Sequence, residues 1–309
     1  MAGPRLQLAA NTCFAAKHWP DPSRWLPVIQ TWQLDAVQFS LDLLDPLGHD
    51  ALALAAEAGK ACAAAGVAIQ STFTGGQAYL SSMLLHPDAR HRSQAKRWFE
   101  AAVRVTAAMG AKGTGGFVGA TAAGTADQER TALVDEMIAF AGVLSRLARD
   151  AGLAYLLVEL MPGETEYPNT PSAARELIER LNQASPLPFA LCFDLGHTCA
   201  PAATHHGDAA TRLYRWLEQL LDLTRCVHLQ QTDGYGDRHW PFTKAHAASG
   251  VVDPAEVLKI VRRSPLPAVD LVLELGHPPE TSSAQTAADW AASVTTWQTA
   301  LAAGGEGPA

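Results

Sequence analysis

Four residues in this chain are of types that hold metals, and each stands at or next to the end of a short apolar run. Glu159 closes "LAYLLVE", Asp194 closes "PFALCFD", His228 sits in "RCVHLQ" and Glu274 lies in "VDLVLEL". A carboxylate at the end of an apolar strand is costly unless it has partners or meets solvent. Three carboxylates gathered in one pocket would also repel one another strongly without a cation. With one imidazole they form an oxygen-rich set that suits a hard or borderline divalent ion such as Mn²⁺, Mg²⁺ or Co²⁺. Taken singly, each has an ordinary role. Glu159 could cap a helix or pair with a surface arginine, Asp194 could cap the segment after "LGHT", and His228 could be a hydrogen-bonded core histidine. The set of four at equivalent positions carries the metal reading.

Equivalent positions require a repeating scaffold. Strand candidates fall at 6–11, 35–40, 66–72, 111–119, 153–159, 188–194, 225–230 and 269–275. Amphipathic segments such as "SQAKRWFEAAVRVTAAMG" separate them, with apolar residues recurring at three and four and a glycine at the end. This alternation over 309 residues predicts a single (β/α)8 TIM barrel spanning 1–309. A doubly wound open sheet would show a glycine fingerprint after the first strand, and "NTCFAAKHW" is not one. In a TIM barrel the C-terminal strand ends floor the active site. Strands five to eight would then deliver the four ligands to one rim. The longest irregular segment, 231–250, follows strand seven, and a loop of that length in a compact domain is usually functional or mobile.

Composition narrows the partners. A formal charge of -8 argues against nucleic acid or an anionic membrane. No apolar run approaches the roughly 20 residues of a membrane span, and the N-terminus lacks the pattern of a signal peptide. Five cysteines at irregular spacing suggest reduced core thiols and a cytoplasmic protein. The tail "AAGGEGPA" reads as frayed. Oligomeric state is left open, a homo-oligomer included.

Glu159, the pair Asp194-x-x-His197 in "FDLGHT", His228 in "VHLQQTDG" and Glu274 in "LVLELG" resemble the xylose-isomerase-like sugar isomerase and epimerase superfamily, and within it the ketose 3-epimerases. The resemblance spans the barrel and is most specific over strands five to eight. It implies one divalent metal held by Glu159, Asp194, His228 and Glu274, with His197 near the substrate oxygens. The segments "FTGGQAYLSSMLLHP" and "HLQQTDGYGDRHWPFT" further resemble epimerases of tetrulose phosphates such as erythrulose 1-phosphate. One departure is clear. The arginine that ketose 3-epimerases carry six residues after the metal histidine is Gly234 here, with Arg238 the nearest replacement.

The chemistry expected of such a site is inversion at C3 of a ketose or ketose phosphate through a cis-enediolate, with Glu159 and Glu274 as the two bases on opposite faces. A phosphate group would call on Arg238, His239 and Lys244 in the long loop and on Lys112 at the start of strand four. A solvated charged loop is the competing reading. Asp237 and His239 also resemble the Asp-x-His element that holds additional metal in related barrel nucleases, which leaves a second metal open. Segment "TGGFVG" would line a polar pocket with backbone N–H groups. Phe14, Trp19 and Phe73 would form either an apolar wall over the sugar or part of the core. Two other functions stay open: an isomerase, dehydratase or eliminase using the same enolate chemistry, and a non-catalytic sugar- or metal-binding barrel.

Overall fold

The structure is a computed structural model and describes residues 3–199 and 208–303. Of the tail expected to be frayed, 302–309, Ala302 and Ala303 belong to the helix Ser283–Ala303, and the rest lies outside the described residues. Eight parallel strands close in sequence order: β1 (Arg5–Asn11), β2 (Ala36–Ser40), β3 (Ala68–Phe73), β4 (Gly113–Gly116), β5 (Tyr155–Glu159), β6 (Phe189–Asp194), β7 (Thr224–Leu229) and β8 (Ala268–Leu273). This is the (β/α)8 barrel that the alternation predicts. β1 pairs with β8 along six residues, from Arg5 opposite Ala268 to Ala10 opposite Leu273, and this pairing closes the ring.

Local chemistry sets the elements between strands. Helix Ala89–Met109 starts where the Asp88 side chain accepts from the Arg90 N–H, and ends at Gly110 in the left-handed region (φ 78°). Pro171 and Pro254 open their helices behind the caps Thr170 and Asp253. The helices lay their apolar faces on the outside of the sheet, where the main core lies. A smaller cluster of Ala9, Ala36, Phe73, Tyr155, Leu157, Cys192, Cys226 and Val272 fills the barrel's interior. All five cysteines are free, four of them buried.

β4 is shorter than its predicted range of 111–119, covering four residues of sequence GTGG. The missing Cβ of Gly113 admits the Tyr155 ring: a methyl placed there would lie 2.1 Å from Tyr155 Cε2. Register brings the strand ends level. Asn11 faces Gln38, Glu159 faces Cys192 and Asp194 faces His228. Glu274 lies one residue beyond β8, yet its N–H still donates to Leu229 O at 3.1 Å, continuing the ladder. Among the described residues no helix is long and apolar enough to cross a membrane.

Candidate metal centre and active-site cavity

Glu159, Asp194, His228 and Glu274 converge at the C-terminal mouth of the barrel, with one ligand atom from each within 4.8 Å of the others. Each carboxylate spends one oxygen on the protein and presents the other to the shared point. Glu159 Oε2 accepts from Tyr79 Oη at 2.5 Å, and its Oε1 is buried without a partner. Asp194 Oδ1 accepts from the N–H groups of Gly196 and His197 and from Gln230 Nε2, while its Oδ2 is left alone. Glu274 Oε1 accepts from Asn11 Nδ2 at 2.9 Å, and its Oε2 lies 2.9 Å from His228 Nδ1. Asp194 thus caps its own turn and also presents a free oxygen, so the two readings of it coexist.

His228 is set by its other nitrogen. Gln38 gives its amide N–H to Ser71 Oγ, which turns Gln38 Oε1 toward His228 Nε2 at 2.8 Å. Nε2 then carries a proton, and with a cation bound the neutral ring would offer the lone pair of Nδ1, buried without a hydrogen-bond partner, to the shared point. Orphaned buried polar atoms are rare in folded proteins and call for an explanation such as an ion. Three of them, Glu159 Oε1, Asp194 Oδ2 and His228 Nδ1, belong to this one cluster. The donor set fits a divalent cation.

Above the cluster lies a cavity of about 400 Å³ whose lining includes Asp42, Tyr79, Glu166, His197, Asp237 and His239. His197 Nδ1 donates to Leu160 O at 2.7 Å, leaving Nε2 facing Asp237 Oδ2 at 3.5 Å. His239 Nε2 lies 3.1 Å from Asp237 Oδ2. Ligand atoms of Asp194, His197 and His239 form a further group within 4.8 Å that shares Asp194 with the first, and Gln230 Nε2 donates to both Asp194 Oδ1 and Asp237 Oδ1. Burial alone would lower the His239 pKa, but the hydrogen bond and charge of Asp237 raise it to about 10. His197 and His228 are likewise raised against burial, by Asp194 and Asp237 for the first and by Cys192 and Glu274 for the second. Burial raises the carboxyl of Asp194, whereas His228 lowers that of Glu274 despite its burial. In this arrangement histidine protons balance the carboxylates.

Of the predicted substrate-contacting residues, His197 and His239 line the cavity and three cations do not. Arg238 turns away and pairs with Asp233 at 3.1 Å. Lys244 lines a separate groove with Phe242 and Thr296. Lys112 precedes β4 and therefore lies at the opposite end of the barrel, in a groove with Arg5 and Arg225. Phe14 packs against Trp19, Trp32 and Trp290, while Phe73 meets His228 edge-on at 4.6 Å; neither lines the cavity. In "TGGFVG" the N–H of Phe117 is taken by Thr74 Oγ1. Sequence reasoning missed Asn11, Gln38, Tyr79 and Gln230. Asn11 and Gln38 left a signal, as polar residues inside the apolar runs of β1 and β2. Tyr79 left none, since it comes from a loop.

A family model described as xylose isomerase-like TIM barrel matches residues 28–294. The chain belongs to that family. A Rhodospirillum rubrum protein described as a candidate xylose isomerase is 29% identical, with a TM-score of 0.87 over 95% of this chain and 99% of that one. D-allulose 3-epimerase from Methylomonas sp. is 16% identical, with a TM-score of 0.67 over 99% of both chains. D-psicose 3-epimerase from Clostridium cellulolyticum, crystallised with D-tagatose, is 11% identical, with a TM-score of 0.68 over 96% of this chain and 99% of that one. At these two identities the likeness is one of fold. Among curated proteins, none matches the sequence.

Proposed function

We propose that this protein is a divalent-metal-dependent epimerase that inverts C3 of a ketose. The observation that carries the reading is the set of three orphaned buried atoms, Glu159 Oε1, Asp194 Oδ2 and His228 Nδ1, facing one point beside Glu274 Oε2. Those four residues would hold the cation; Mn²⁺, Co²⁺ and Mg²⁺ all suit the donors. When bound, the ion would polarise the ketose oxygens and make the C3 proton more acidic.

The protein's own groups do the rest. Glu159 on β5 and Glu274 after β8 belong to strands three steps apart round the barrel, which suits proton removal on one face of C3 and delivery on the other. In one direction the carboxylate of Glu159 takes the proton, and the carboxylic acid of Glu274 supplies one to the opposite face. The reverse reaction exchanges their roles. Tyr79 and Asn11 hold the two side chains, so neither must reorganise as charge moves. His197 and His239, facing the cavity, supply hydrogen-bond donors to the sugar oxygens. The tetrulose phosphate suggested by the two loop segments gains no support from the cavity, because no lysine or arginine stands among the described residues lining it.

The test is proton NMR of a panel of ketoses in D₂O with the metal removed and restored. Deuterium at C3 of both epimers, dependent on added Mn²⁺, Co²⁺ or Mg²⁺, is the expected result. Full turnover by protein shown by elemental analysis to be metal-free would refute it.

A further inference from the structure

Besides Asp237, two carboxylates outside the metal set line the cavity, Asp42 and Glu166, and each accepts from backbone N–H at a glycine turn. Asp42, in the loop after β2, accepts from the backbone N–H groups of Gly76 (2.8 Å) and Gln77 (3.2 Å) and from Ser40 Oγ (3.2 Å). Glu166, in the loop after β5, accepts from the N–H of Gly163 at 2.7 Å. Each carboxylate fills space that only glycine leaves. A Cβ on Gly75 would lie 2.2 Å from the Asp42 carboxyl carbon, and one on Gly163 would lie 2.5 Å from Glu166 Oε2.

Backbone N–H groups converging at a glycine turn make a seat for an anion. In a sugar-processing cavity that seat would suit a substrate phosphate. Here the protein's own acids take these N–H groups, Asp42 two of them and Glu166 one. We propose that Asp42 and Glu166 are specificity residues that restrict the site to sugars without a phosphate. The inference rests on the ketose epimerase reading and names its substrate class. A phosphate dianion would have to displace a carboxylate or stand beside one, and like charges at such distances repel strongly. No lysine or arginine stands among the described residues lining the cavity, and the two histidines there, His197 and His239, both face Asp237, at 3.5 Å and 3.1 Å. Arg238 is engaged with Asp233, and Lys244 and Lys112 line other grooves. A chain of hydroxyls meets the opposite situation, because each hydroxyl can donate a charge-assisted hydrogen bond to Asp42 or Glu166.

The test is titration calorimetry of the metal-loaded full chain at pH 8 with D-fructose, D-fructose 1-phosphate and D-fructose 6-phosphate, in low and high salt. Epimerisation is followed separately by NMR. Free D-fructose should bind at least about tenfold more tightly than either ester, a difference of about 1.4 kcal/mol. The gap should narrow in high salt and in each of Asp42→Asn and Glu166→Gln, which keep shape and remove charge. Discrimination here, with no epimerisation of any ketose in the NMR panel, would uphold this inference and reject the epimerase reading. An ester that binds the wild type as well as free D-fructose would overturn the inference, even if that ester is epimerised. So would an unchanged gap in both variants with wild-type circular dichroism, or no binding of any of the three sugars.

Discussion

Gln38 decides which nitrogen of His228 can face a cation, although it touches no ligand-binding point itself. Its amide is fixed by Ser71 on one side, so its oxygen must accept from His228 Nε2. Gln38→Leu removes that acceptor and frees the imidazole tautomer. Metal affinity should fall about 10–100-fold, the usual effect of losing a group that orients a ligand, as measured by competition with a chromophoric chelator. Glu159→Gln and Glu274→Gln address the proton transfers. Each should lower net epimerisation by roughly 10²–10⁴-fold. One variant should still exchange the C3 hydrogen of one epimer with D₂O, and the other variant that of the opposite epimer. If both retain metal and exchange both epimers at the wild-type rate, the two-base assignment is wrong. At this scale the three carboxylates and the imidazole that converge at the barrel mouth are legible in the sequence, because each stands at or next to the end of an apolar strand. Tyr79, Asp42 and Glu166 are not legible, because they reach the cavity from loops whose paths no periodicity encodes.

Elements place these residues, and strand ends proved easier to read than loops. Seven of the predicted strands differ from the observed ones by at most two residues at either end, since period and length are written in the apolar pattern. β4 is the exception. Its glycines carry no apolar pattern, and Gly113 is there to leave room for the Tyr155 ring. Gly113→Ala would press a methyl into that ring and should cost about 1–3 kcal/mol, as overpacking does, seen as a lower denaturation midpoint. Tyr155→Leu in the same chain should recover part of the loss, because the two substitutions share one space. Segment 231–250 misled for a physical reason. Cations close in sequence suggest a phosphate site, but Arg238 finds Asp233 five residues away, within the same loop. Sequence proximity cannot say which partner a long side chain will choose.

For the molecule as a whole, the metal-free protein relies on protons where a cation would otherwise sit. His197, His228 and His239 all have folded pKa values above the ordinary histidine value of about 6.5. The folded state therefore binds more protons than the unfolded chain above that pH, and stability must fall as pH rises. The contribution is complete below about pH 6.5 and is lost through the His239 value of about 10. The lowered carboxyl of Glu274 acts at the acidic end and does not reverse the trend in this window. Thermal denaturation of chelator-treated protein should show a midpoint falling between these pH values. With Mn²⁺ bound to neutral His228 the profile should be flatter. Equal slopes with and without metal would refute this.

Asn11 reaches Glu274 across 263 positions of chain, through the seam where β1 meets β8. That contact sets a schedule. During synthesis at about 5–20 residues per second, Asn11 is made long before its partner, and the ligand set lacks its fourth member until the last strand has emerged. A nascent chain ending before Ala268 has neither the seam nor Glu274. The candidate cation site is thus one of the last features the polypeptide acquires, and capture of a metal ion there would mark a finished barrel.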